Sequence, residues 1–241
     1  MYKPIVLTLA SLSSILAAPL DNVTPAKHKR SYTSSNWSGA VQESKAGSYN
    51  YVQGSFVVPT LNDQNNPSGT ADIWVGIDGN NCKSAILQTG IVTYGDGSFW
   101  VWTEWWKHTM QDYSVSLDVN GGDTIRLTVH ATSSTSGTTS VENLTTGKSV
   151  SQTFTSETSY PLCESDAEWI VEDFSTDSQG DLAPLVDWGT IKFFDTTAKG
   201  PNGQVSAVGA EVFNLKQNGV ILTDTEIGSD GSVSVTYTGG Q

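Results

Sequence analysis

Apolar and polar residues alternate with period two along most of the chain beyond residue 50. The runs are Tyr51–Val58, Ile73–Ile77, Phe99–Trp106, Ser114–Val119, Thr124–Ala131, Val205–Phe213 and Ser232–Tyr237. Such alternation sends successive side chains to opposite faces and predicts strands. Six Asx-Gly dipeptides punctuate the runs: Asp78-Gly79, Asp96-Gly97, Asn120-Gly121, Asn202-Gly203, Asn218-Gly219 and Asp230-Gly231. They are hairpin signals, because a type I′ turn needs φ > 0 at both central residues. No segment after the first thirty residues offers a long amphipathic helix. Many short strands with frequent turns predict one all-β domain, a sandwich or a barrel. One segment is ambiguous. Ser165-Asp166-Ala167-Glu168 fits a helix capping box, and Ala167, Ile170, Val171 and Phe174 have helical spacing. Trp169, Ile170, Val171 and Phe174 are also strand formers, and in this β-rich chain a strand over Glu168–Phe174 is expected.

The first thirty residues read differently. Lys3 precedes an apolar stretch from Ile5 to Ala18 that is too short to span a bilayer, with small residues at its end. This is the pattern of a secretory leader over residues 1–18. Residues 19–30 are polar and end in Lys27-His28-Lys29-Arg30, which reads as a short propeptide closed by a dibasic processing site. The mature domain then covers residues 31–241, and the product is expected to be secreted.

The whole chain has 241 residues, with 12 basic against 25 acidic side chains. Four of the basic and one of the acidic residues precede residue 31, so the mature part carries 8 against 24. A single Arg beyond residue 30 and this negative balance argue against nucleic acid and against anionic membranes, since phosphate contacts need cations. Nothing in the sequence demands an oligomer, and a monomer is expected. After secretion the two cysteines, Cys82 and Cys163, are expected to form one disulfide rather than stay as buried thiols. Asn36-Trp37-Ser38 and Asn143-Leu144-Thr145 are glycosylation sequons, making Asn36 and Asn143 candidates.

Several chemistries are excluded by residue type. Only His108 and His130 remain in the mature part. There is no HExxH, no Cys/His cluster and no EF-hand loop, so no metal is expected. There is no GxSxG elbow, no GxGxxG and no P-loop, and no cofactor is expected. The aspartic-protease signature is also missing: Gln88-Thr89-Gly90 has an amide where the acid should stand. Carboxylates, amides and aromatics remain. Alternation puts Trp74, Gly76 and Asp78 on one face, and likewise Ile86, Gln88 and Gly90. Trp100, Trp102, Glu104 and Trp106 share a face, as do Glu168, Ile170, Glu172 and Phe174. On one concave sheet these faces would form an aromatic trough with polar groups at its floor, to which Trp106 and Phe174 would contribute. Alternating Trp also fits an ordinary core, but a Glu among aromatic neighbours does not, because an unpaired buried carboxylate is costly.

Seven motifs in order carry a family resemblance: SNWSG (Ser35–Gly39), FVVPT (Phe56–Thr60), WVGIDG (Trp74–Gly79), ILQTG (Ile86–Gly90), TEW (Thr103–Trp105), ENLTTG (Glu142–Gly147) and AEWIVEDF (Ala167–Phe174). Together they resemble the fungal glutamic peptidases, the eqolisins. The resemblance implies a secreted acid endopeptidase acting on proteins or peptides. It implies a two-sheet antiparallel β-sandwich of jelly-roll, concanavalin-like type. The family's catalytic glutamine falls on Gln88 and its glutamate on Glu172. Trp74, Asp78 and Glu104 match its substrate-side residues, Trp37 falls near Gln88, and the cysteine pair matches Cys82 and Cys163. Two departures stand out. Trp106-Lys107 replaces a frequent Tyr-Pro, and Val92 stands where some members have an acid.

A Gln/Glu pair suits acid chemistry. Ionised Glu172 would take a proton from water, and the Gln88 amide would donate to the developing oxyanion. Gln88 does not titrate, and a free Glu titrates near ~4.3, whereas His is charged below ~6.5. The rival readings are a secreted glycoside hydrolase with Glu172 and Glu104 as its carboxyl pair, and a non-catalytic carbohydrate-binding module using the Trp trough. Glu168 cannot pair with Glu172 along a strand, because four residues span ~13 Å against the ~5–9.5 Å between working carboxyls.

Overall fold

The computed structural model describes residues 30–174 and 182–239. The leader, residues 1–18, and all of the 19–30 segment except Arg30 lie outside the described residues. Among the described residues there are strands and no helix, hence none long and apolar enough to cross a membrane.

Two sheets stack face to face. The first runs in the spatial order β1 (Ser31–Ser34), β14 (Glu211–Gln217), β2 (Trp37–Glu43), β11 (Asp166–Glu172), β4 (Thr70–Ile77), β5 (Ile86–Tyr94), β6 (Phe99–Trp106) and β7 (Gln111–Asp112), with β15 (Val220–Ile221) beside β14. The second runs β10 (Lys148–Phe154), β9 (Ser136–Asn143), β8 (Thr124–Ser133), β3 (Tyr51–Val57), β12 (Thr190–Gly200), β17 (Val233–Tyr237) and β16 (Thr223–Ile227), with β13 (Gly203–Val205) beside β12. These named strands pair antiparallel, apart from β1 along β14. The result is the two-sheet antiparallel β-sandwich that the family resemblance implied.

The inner faces of both sheets make the core, with Phe56, Trp105, Trp169 and Phe193 among its largest members. Phe56 and Phe193 meet edge to face at 5.7 Å. β4 is buried on both faces. Its Ala71, Ile73, Val75 and Ile77 enter the core, while Trp74 joins Val41, Val92, Trp102 and Ile170 in a second apolar cluster on the outer face of the first sheet. That second cluster is the bed of the functional groove.

The ambiguous 165–174 segment is a strand, β11, over Asp166–Glu172. Asn218-Gly219 forms the two-residue hairpin between β14 and β15, with φ 50° and 85°. Two expected strands are corrected. Ser114–Val119 is a loop after β7, anchored by buried Tyr113 and Leu117. Val205–Phe213 is broken: β13 ends at Val205, a turn buries Ala207 and Ala210, and β14 begins at Glu211.

Cys82 and Cys163 are joined, with Cα atoms 6.0 Å apart and 81 positions of separation. Two buried aspartates bind the loops on either side of the bond. Asp78 accepts from the backbone N–H groups of Cys163, Glu164, Ser165 and Asp166 at 2.7–3.3 Å. Asp166 in turn accepts from the backbone N–H groups of Asn81 and Cys82 at 2.7 and 3.3 Å. The two loops hold each other through backbone donors that no neighbouring strand satisfies.

Candidate active site

A groove of 530 Å³ lies on the outer face of the first sheet. Trp37, Gln88, Glu104, Trp106, Glu172 and Phe174 all line it, so the structure brings six of the expected site residues together. Alternation supplies this directly: each strand under the groove aims every second side chain at it.

Glu172 is the last residue of β11. Its rungs on either side are Trp37 of β2 and Asp72 of β4. Asn36 Nδ2 donates to Oε1 at 2.7 Å, and the Trp74 indole N–H donates to Oε2 at 2.8 Å. The Trp37 indole lies beside the same carboxyl and also lowers it. Trp37 stands edge-on to Trp74, ring centres 5.0 Å apart, so each indole braces the other. The Glu172 carboxyl is raised to about 7: burial lifts it most, the neighbouring Asn36, Trp74 and Trp37 side chains pull it down, and the charge of Glu104 lifts it again. A set of donors with no competing acceptor is the environment of a carboxylate.

Gln88 sits two strands away on β5, directly opposite Glu104 of β6. Its Nε2 lies 2.5 Å from Glu104 Oε2. Its Oε1 is buried with no partner. Glu104 is 5% exposed, and burial lifts it to about 7 against the pull of Gln88 and His108. Gln88 is in line with Gly76 and, beyond it, Glu168, so Glu172 is four rungs along β11 from the Gln88 row. The two groups therefore enter the groove from diagonal corners.

Other residues depart from expectation. Trp74 is fully buried and does not line the groove; its N–H reaches Glu172 from beneath. Asp78 is fully buried and does not line the groove; its carboxylate is occupied by the 163–166 backbone, so the substrate-side role is corrected to a structural one. Trp100 turns its N–H to Asp112 at 2.6 Å instead of joining the trough. Both sequon amides are hydrogen-bonded. Asn143 is fully buried, and its Nδ2 donates to Asp123 at 2.9 Å and to the Asp118 carbonyl at 3.2 Å. Asn36 gives one Nδ2 N–H to Glu172. In the folded chain Asn143, fully buried with both amide hydrogens engaged, leaves no room for a glycan, whereas Asn36 keeps a second N–H.

Among the groove residues, Asn36 is visible in the sequence only as a sequon, and Asp72 is not singled out there. Asp72 had a signal, because it stands two positions before Trp74 and so shares its face. Trp102 was left between core and trough; it is 1% exposed, and its indole N–H donates to Asp72 at 2.7 Å.

The chain matches the Peptidase A4 family pattern over residues 35–237. It is 40% identical to aspergillopepsin-2 of Aspergillus niger over 225 residues, covering 85% of this chain and 78% of that protein. It is 35% identical to scytalidopepsin B of Scytalidium lignicola over 233 residues, covering 95% and 86%. The fold superimposes on a crystal structure of scytalido-glutamic peptidase with a transition-state analogue inhibitor at a TM-score of 0.77, with 36% identity over 85% of this chain and 98% of that one.

Proposed function

The chain belongs to the Peptidase A4 family, the glutamic peptidases, and from that premise we propose that Glu172 and Gln88 are its catalytic pair. The protein is a glutamic endopeptidase that hydrolyses peptide bonds. The observation that carries the assignment is the donor set around Glu172. Two N–H groups, from Asn36 and Trp74, converge on the two oxygens of one carboxylate at the edge of a groove that also contains Gln88.

The Glu172 carboxylate takes a proton from water as the water oxygen attacks the scissile carbonyl carbon. The carbonyl π electrons move onto oxygen, and the Gln88 amide donates to that oxyanion, a contact worth about 3 kcal/mol in comparable sites. Collapse re-forms the carbonyl and breaks the C–N bond. Protonated Glu172 gives its proton to the departing nitrogen, leaving an acid, an amine and the original carboxylate.

Gln88 must present N–H, not oxygen, to the groove. Amide oxygen and nitrogen exchange by a half-turn of the side chain. With Glu104 protonated, its O–H donates to Gln88 Oε1, which satisfies that buried oxygen and frees Nε2 for the oxyanion. Glu172 ionised and Glu104 protonated is one singly charged state of the pair, and this state bounds the working range on both sides. Because burial lifts Glu172 towards about 7, its acid limb lies above the ~4.3 of a free Glu.

A glycoside hydrolase built on Glu104 and Glu172 would leave Gln88 without a role, and the family match does not favour it. We assign the enzyme to the extracellular space as a monomer, released from a leader and a propeptide ending at Arg30. N-terminal sequencing and the sedimentation of the secreted product test these points. The pair itself is tested with denatured casein over roughly pH 2–7, bracketing the carboxyl range. Gln88→Ala and Glu172→Gln should each abolish cleavage while near-UV circular dichroism stays native. Full activity in either variant would overturn the assignment.

A further inference from the structure

One buried acid in the groove takes no part in the steps above. Asp72 lines the groove at 1% exposure and is the direct rung partner of Glu172 across β4 and β11. Side chains directly opposite on neighbouring strands have Cβ atoms about 4.5–5.5 Å apart, and two like charges there repel. The groups that face Asp72 are Glu172 from β11, Glu104 and the Trp102 indole from β6, and Tyr94 from β5.

Two carboxyls so placed do not ionise together. Which one takes the charge follows from their donors. Glu172 has the N–H groups of Asn36 at 2.7 Å and Trp74 at 2.8 Å, one on each oxygen. Asp72 has one, the Trp102 indole at 2.7 Å from Oδ1. The charge settles on Glu172 and the proton on Asp72. Trp102 holds Oδ1, which leaves Oδ2 as the oxygen that can carry the proton.

We propose that Asp72 is a positioning residue of the dyad: a protonated carboxyl, fixed by the Trp102 indole, that donates to the Glu172 carboxylate and keeps the two acids at a single negative charge. Burial and the Glu172 charge both push Asp72 well above the ordinary aspartate range, in keeping with that state. Val92, the β5 rung partner of Asp72, is apolar and adds no charge beside the two acids.

The proposal rests on Glu172 as the base, and its test separates the two. The pH profile of kcat/KM is measured for wild type, Asp72→Asn and Asp72→Leu, within the range where near-UV circular dichroism is native. Asparagine keeps a neutral donor, so its acid limb should stay within about half a unit of wild type. Leucine removes the donor, so its limb should rise by about one unit. A fall of a unit or more in Asp72→Asn would mean that Asp72 is ionised in the native enzyme and would overturn the proposal. A uniform loss in Asp72→Leu with an unmoved limb would make the residue merely structural and would overturn it equally. Infrared difference spectra between wild type and Asp72→Asn give a readout independent of activity and of the leucine variant. The wild type should show a protonated carboxyl C=O band at about pH 6, where a free Asp of pKa ~3.9 is ionised, and the variant should lose it. No such band refutes the proposal. Activity in Glu172→Gln would instead refute the dyad assignment.

Discussion

Replacing Glu104 by glutamine should reduce the stability that the fold loses between about pH 4 and pH 8. Glu104 is 5% exposed, and burial raises it from its ordinary 4.5 to about 7. The folded protein thus holds this proton more tightly than the unfolded chain does. A raised acid contributes stability that is complete below about 4.5 and is lost as pH climbs through the folded value near 7. At 1.36 kcal/mol per pH unit, a rise from 4.5 to about 7 amounts to about 3 kcal/mol, a large part of the 5–15 kcal/mol that holds a domain folded. Urea unfolding at the two pH values measures it. Both proteins carry Glu172→Gln to prevent self-digestion, and this background leaves intact the causes that act on Glu104, namely burial, Gln88 and His108. The parent should lose about 3 kcal/mol more than the Glu104→Gln variant between the two pH values, with equal m-values. Equal losses, or a larger loss in the variant, would refute this account of Glu104.

Trp74→Phe removes one of the N–H donors to Glu172 and should raise the acid limb of kcat/KM by about one unit, as read from a pH profile. Asp78→Ala strands the backbone donors of 163–166 and should lower stability by about 3 kcal/mol or more in urea titration, while the groove keeps its lining residues and KM stays near wild type. Reduction of the Cys82–Cys163 bond should lower stability by about 4 kcal/mol on the chain-entropy model for a loop of this length. Intact mass before and after glycosidase treatment should show no glycan on Asn143, whose amide nitrogen is buried and bonded.

The sandwich was legible because its central strands alternate cleanly. FWVWTEWW, Phe99–Trp106, is β6 residue for residue. β9 and β10 escaped because Ser and Thr occupy both faces: in SGTTSVEN the inward Thr139 and Val141 alternate with Thr138 and Ser140. β12, the longest strand, hid because its Thr196, Thr197 and Lys199 blur the apolar face of Ile191, Phe193 and Ala198. The Gln88 and Glu172 positions were legible through motifs. Their electrostatics were not, since a free Glu titrates near ~4.3 and the shift depends on what burial surrounds it with. Asp78 shows the converse. Alternation put it on the Trp74 face, but φ 69° at Asp78 turns the chain there, and the carboxylate meets the 163–166 loop from 85 or more positions away. Short-range pattern carries no information about such a partner.

Desolvation of one sheet face links the enzyme's chemistry to its stability. Asp72, Glu104, Glu168 and Glu172 lie on neighbouring strands of that face, and burial is the largest cause raising each of them. In Glu172 the rise makes a stronger base; in Glu104 and Asp72 it keeps a proton that orients a neighbour. Glu168 is the informative member, because it has no such task. It is fully buried, and neither of its oxygens has a hydrogen-bond partner among the described residues. Ionised there it would be an uncompensated buried charge, which destabilises a fold by several kcal/mol, whereas protonated it is a modest polar burial. The fold is thus at ease only where Glu168 keeps its proton. The same low-dielectric bed that raises Glu172 therefore makes the fold lose stability as pH rises through the raised range of its buried acids, so activity and stability depend on pH through one cause.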